Sequence, residues 1–137
     1  MNYQLHDISR FPFVALRSDR CVPGFAVEWG QEMDALLAAR TPFVVAFEPA
    51  AIAETPEDFR ERAQWFKANR KQLGGNCAAM VAVVPSADQR QALAADLAKR
   101  SRGFDVRYVA LESFAVAESQ TPAFIAQDQA ERLASAA

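Results

Sequence analysis

Thr41-Pro42-Phe43-Val44-Val45-Ala46-Phe47-Glu48-Pro49 is an apolar run between two prolines, closed by an acid. Residues Phe43 to Phe47 show no apolar–polar alternation. A strand with one wet face would alternate, so this run reads as a strand covered on both faces, as in the middle of an α/β sheet. Glu48 then stands at the carboxyl end of that strand. In open α/β sheets ligands bind at that edge, which makes Glu48 the first candidate for a functional side chain.

The neighbouring segments follow from this strand. Cys77 to Val84 is a second continuous apolar run, stopped by Pro85, and reads as a matching buried strand. Between the two lies a marked helix start at Thr55-Pro56-Glu57-Asp58: an N-cap hydroxyl, a first-turn proline and two acids at the positive end of the helix dipole. This helix is expected to continue to Leu73, with Gly74-Gly75 as a left-handed stop. Its apolar stripe is Phe59, Ala63, Phe66 and Leu73, with Arg70 inside the stripe and Trp65 projecting about 100° away from it, beside Asn69 and near Arg62.

Before the central strand, Phe25, Trp29, Met33, Leu36 and Leu37 share one face of a helix over residues 25–40. Before that helix, Tyr3 to Ile8 and Phe11 to Arg17 suit a hairpin around Ser9 and Arg10, its second strand starting after Pro12. After Pro85, Ser86 and Gln89 have capping-box spacing for a helix reaching Gly103. Phe104 to Leu111 is the expected last strand; Phe114 to Ala117 suits either an extension of a strand or a short helix after Ser113, and Thr121-Pro122 is expected to cap a terminal helix. The order of elements predicts one α/β domain over residues 1–137. Its expected core is a mostly parallel or mixed sheet of about five strands with an N-terminal hairpin and crossover helices.

Fifteen basic against seventeen acidic residues leave a net charge of −2, so no overall field draws the chain to nucleic acid or an anionic membrane. The basic set Arg60, Arg62, Lys67, Arg70 and Lys71 spreads around its helix rather than lining one side. Cys21 and Cys77 are far apart in sequence and lack metal-ligand spacing; they are expected to be buried free thiols, with no metal and no cofactor implied. The first residues lack signal-peptide features, and no run is long enough for a membrane span, which makes the cytoplasm the expected location.

A hairpin followed by alternating helices and strands in a chain of this size resembles the STAS domain of sulphate transporters and anti-sigma-factor antagonists. In that family the central strand ends at an aspartate, and the serine of an Asp-Ser-Ser-Gly motif at the next helix start is phosphorylated. Glu48 occupies the strand end here, and Glu54-Thr55 stands where Asp-Ser would be, followed by Pro56. The resemblance places Thr55 at the phosphorylation position, whereas the residues themselves make it a helix cap. The resemblance implies a STAS-like module that binds a protein partner or a small, partly apolar ligand without catalysis.

The residues add candidates of their own. Glu48, Arg17, Arg70 and Ser86 are expected near the strand ends, where they would form a ligand site. In a small enzyme or biosynthetic accessory, Glu48 would be the base and an arginine such as Arg70 would hold an anion. Ser86 lacks a Gly-x-Ser-x-Gly elbow, and His6 is the sole histidine, which argues against a Ser-His-Asp hydrolase. Trp65, Arg62 and Asn69 form the candidate partner surface, and self-association through Trp65 is a third reading.

Overall fold

The computed structural model describes residues 1–136 and is an α/β protein. Five strands form one sheet in the order β1 (His6–Asp7), β2 (Phe13–Leu16), β3 (Phe43–Phe47), β4 (Cys77–Val83) and β5 (Tyr108–Leu111). The first pair is antiparallel and the others are parallel. The expected central strand is indeed in the middle, and β4 beside it is buried along its whole length.

Each parallel step moves one strand further in the same direction, so crossovers of one hand deliver their helices to one face. That face carries α1 (Ala26–Ala38), α2 (Pro56–Ala68), α3 (Arg70–Asn76) and α4 (Ala87–Phe104). Trp29, Met33, Phe66, Leu73 and Leu97 from these helices pack with Val14, Val45 and Met80 of the sheet. The opposite face is covered by α5 (Phe114–Ala136), whose Phe114, Ala117, Phe124 and Ile125 meet Val44, Ala46, Ala79 and Val81. Two-sided cover is the physical reason that β3 and β4 do not alternate.

Several boundaries differ from the sequence expectation. The helix after Thr55 breaks at Asn69 and restarts as α3, which runs through Gly74 and Gly75. Neither glycine takes a left-handed conformation; the chain leaves α3 directly into β4, and Leu73 is fully buried as its anchor. The helix α4 stops at Asp105, which adopts φ 56° in place of a glycine, so β5 begins at Tyr108 rather than near Phe104. The terminal helix begins at Phe114, not after Thr121. Ser113 starts it by accepting from Val116 N–H at 3.1 Å, and Thr121 lies buried inside the helix with its hydroxyl donating to the Ala117 carbonyl at 2.9 Å.

Two buried acids fasten these elements. Glu32 lies on the inner face of α1, 2% exposed, and its carboxylate accepts from the N–H groups of Gln4, Leu5 and His6 and from His6 Nδ1. It thereby holds the strand before and at β1. Asp58, 3% exposed, completes a capping box with Thr55 and also accepts from the N–H groups of Gly24 and Ala26. It joins the starts of α1 and α2. Gly24 reaches it with φ 95°, a conformation that favours glycine.

Candidate functional site

The strand carboxyl ends bring together only part of the expected set. Glu48, Arg17 and Ser18 line a cleft of about 310 Å³ together with Asp7 and Asp19. Arg17 is committed to the hairpin, its Nη1 donating to the carbonyls of Gln4 at 3.2 Å and His6 at 3.3 Å. The hydroxyl in the cleft belongs to Ser18, which donates to the Leu16 carbonyl and accepts from the Glu48 N–H at 2.9 Å. Ser18 therefore fastens the ends of β2 and β3 to each other.

Arg70 and Ser86 stand apart from this cleft. Arg70 begins α3, and its Nε donates to Asp105 at 3.0 Å on the surface, so the kink at Asn69 turns it out of the stripe in which a straight helix would place it. Ser86 caps α4 and accepts from Gln89 N–H at 3.3 Å. The convergence expected for Glu48 with Arg70 and Ser86 is not formed.

The aromatic residue singled out as a partner anchor is engaged within the chain. Trp65 Nε1 donates to Asp34 at 2.8 Å, and its ring packs edge-on against Trp29 at 5.1 Å and Phe66 at 5.5 Å. Gly30 of α1 makes room for it: a Cβ there would lie 3.3 Å from Trp65 Cδ1. Asn69 donates to the Trp65 carbonyl at the end of α2. Thr55 is engaged with Asp58, accepting its N–H at 3.1 Å and donating its hydroxyl at 3.0 Å.

Arg62 leads to a second site. Its guanidinium lies 4.9 Å from the Trp29 ring centroid and 5.9 Å from that of Phe66, and Nη1 pairs with Glu54. Its Nε is buried without an acceptor. This side chain lines a groove of about 430 Å³ that opens between α2 and α4 above the carboxyl halves of β3 and β4.

The groove follows from helix periodicity and from small residues in the sheet. Phe59, Arg62, Ala63 and Phe66 form one wall at helical spacing, and Leu93, Asp96, Leu97 and Arg100 form the other. Across the floor, Phe47 is level with Ala82. Ala82 leaves space that a larger residue would fill. Phe59 points along the groove face of α2 yet remains 62% exposed, so the chain does not cover its own apolar wall.

Tyr108 closes the bottom of the groove beside Met80. Burial raises its phenol to about 12, and the guanidinium groups of Arg62 and Arg100 act in the opposite direction. Burial likewise raises the thiols of Cys21, to about 11, and Cys77, to about 12; both are free. High thiol pKa and burial give neither sulfur the character of a nucleophile.

Sequence reasoning missed the groove because its members come from five elements. The available signal was a charged residue in the middle of each stripe, Arg62 on one helix and Asp96 on the other, where a packed core face would be apolar. The buried Glu32 carried the same signal on α1, lying three residues after Trp29 and four before Leu36. Among the described residues no group of three or more His, Cys, Asp and Glu is placed to hold a metal ion, and no helix is long and apolar enough to cross a membrane. No family model, curated protein or solved structure matches the chain.

Proposed function

We propose that the chain is a STAS-like binding module whose ligand is a small, partly apolar molecule held between α2 and α4. The observation that carries this reading is the unfilled groove, with Phe59 62% exposed on a wall that faces the sheet. A volume of about 430 Å³ falls in the range of small-molecule sites, which are mainly apolar with a few polar groups at fixed positions. The groove lies near the strand carboxyl ends, where α/β folds place ligands. The STAS-like reading is supported by an antiparallel strand followed by four parallel strands in sequence order.

The neutral fluorophore N-phenyl-1-naphthylamine tests this reading. It is expected to bind the wild type saturably and to lose affinity when Ala63→Trp fills the groove from the exposed side of α2. Equal binding by both proteins would move the site elsewhere, and no binding by the wild type would reject the groove as an apolar site. Native mass spectrometry of the purified protein would identify a retained small molecule. A co-purifying protein that binds wild type and Ala63→Trp equally would favour a partner surface instead.

A further inference from the structure

The groove has a polar end as well as an apolar one. Its apolar surface comes from Phe47, Phe59 and Leu93, while Arg62 and Arg100 approach from opposite helices. Arg62, Arg100 and Tyr108 all line this groove. Glu54 neutralises only one edge of Arg62, at Nη1, and leaves Nε without an acceptor. Arg62 is also held in place by the rings of Trp29, Phe25 and Phe66, so its charge is fixed before any ligand arrives. A fixed guanidinium with a second one on the facing helix is a pair that recognises a carboxylate or sulfonate.

We infer that the ligand of this groove is an anionic amphiphile, with its acid group between Arg62 and Arg100 beside Tyr108 and its apolar body along Phe47, Phe59 and Leu93. The inference rests on the groove being the binding site and adds the chemical class of the ligand. Neutral apolar molecules fill the same space but leave the polar end unused.

Two fluorophores that share an aromatic body separate this inference from the site itself. 8-Anilinonaphthalene-1-sulfonate carries an acid group, and N-phenyl-1-naphthylamine is its neutral counterpart. For the wild type, the sulfonate is expected to bind at least about tenfold more tightly than the neutral compound, as for a charge-assisted hydrogen bond. Arg100→Gln is expected to bring the two probes to within about twofold of equal affinity. Arg100 is exposed, so this variant retains its fold; Arg62→Gln is a second variant, checked by circular dichroism because its aromatic contacts support packing.

If the neutral probe binds in the groove and the sulfonate shows no preference, or if Arg100→Gln leaves the preference intact, the anionic class is overturned while the groove stands. If Ala63→Trp affects neither probe, both readings fall. Sulfonate binding that falls in Arg100→Gln and is also abolished by Ala63→Trp supports the whole arrangement.

Discussion

Replacing Glu32 by glutamine perturbs a buried side chain that accepts bonds from three successive backbone N–H groups and a histidine, while hardly changing its shape. The carboxylate accepts from Gln4 N–H at 2.8 Å, from Leu5 N–H at 3.1 Å through both oxygens, and from His6 N–H and Nδ1 at 2.8 Å each. An amide can preserve the acceptor facing His6, but its NH₂ then opposes the N–H of Gln4. Charge-assisted bonds become neutral ones, and one donor pair is left facing another; on ordinary values this costs on the order of 3 kcal/mol. The acidity of Glu32 expresses the same bonds. Burial raises the Glu32 carboxyl, but the bonds from His6, Gln4 and Leu5 outweigh it and bring it from 4.5 down to about 2. At 1.36 kcal/mol per pH unit, that difference corresponds to about 3 kcal/mol.

The sign follows from the lowered value. The contribution of Glu32 is complete above about pH 4.5, fades as the pH falls and is gone below about pH 2. Urea denaturation at about pH 7 should therefore show Glu32→Gln less stable by about 3 kcal/mol, and the gap should narrow toward pH 2 as the wild-type acid becomes protonated. A deficit under about 1 kcal/mol at neutral pH, or one that stays constant as the pH falls, would refute the assignment.

Asp58→Ala should cost about 2–4 kcal/mol, because it removes the carboxylate half of the capping box, which accepts from the Thr55 N–H and hydroxyl, and leaves the N–H groups of Gly24 and Ala26 without their acceptor. Burial raises the Asp58 carboxyl, but the backbone bonds prevail and lower it, so this contribution too is lost on acidification; thermal melting of both proteins at neutral and acid pH measures it. Gly30→Ala should lower stability by about 1 kcal/mol even though alanine is the better helix former, because the new methyl meets Trp65 and that ring is held by Asp34. A higher urea midpoint for Gly30→Ala would show that Trp65 yields easily.

Much of the fold is legible because burial leaves a mark on consecutive residues. A strand covered on both faces must be apolar throughout, so Phe43 to Phe47 and Cys77 to Val83 announce their place directly. The first helix is equally clear, since Trp29, Met33, Leu36 and Leu37 lie on one face and are all buried. Boundaries set by long-range contacts are harder to read. Gly74-Gly75 has the composition of a helix stop, yet Leu73 anchors that segment in the core and keeps the glycines helical. Thr121-Pro122 has the composition of a helix start, yet α5 continues through it while covering the sheet. Arg70 is placed inward by counting along an unbroken helix and outward by the kink at Asn69.

The candidate site divides in the same way. Glu48 at the end of a buried strand follows from sequence, and so does Thr55 as a cap, because both depend on residues within a few positions of each other. The local order of elements likewise determined the α/β class and the succession of parallel strands. The groove, by contrast, exists only because α2 and α4, separated in sequence by α3 and β4, stop short of each other over Ala82. Its lining draws Arg62, Arg100 and Tyr108 from three elements. Periodicity records which face of a helix turns inward, but the width of the gap it faces is fixed by the packing of the whole sheet, and that distance is a property of the tertiary structure alone.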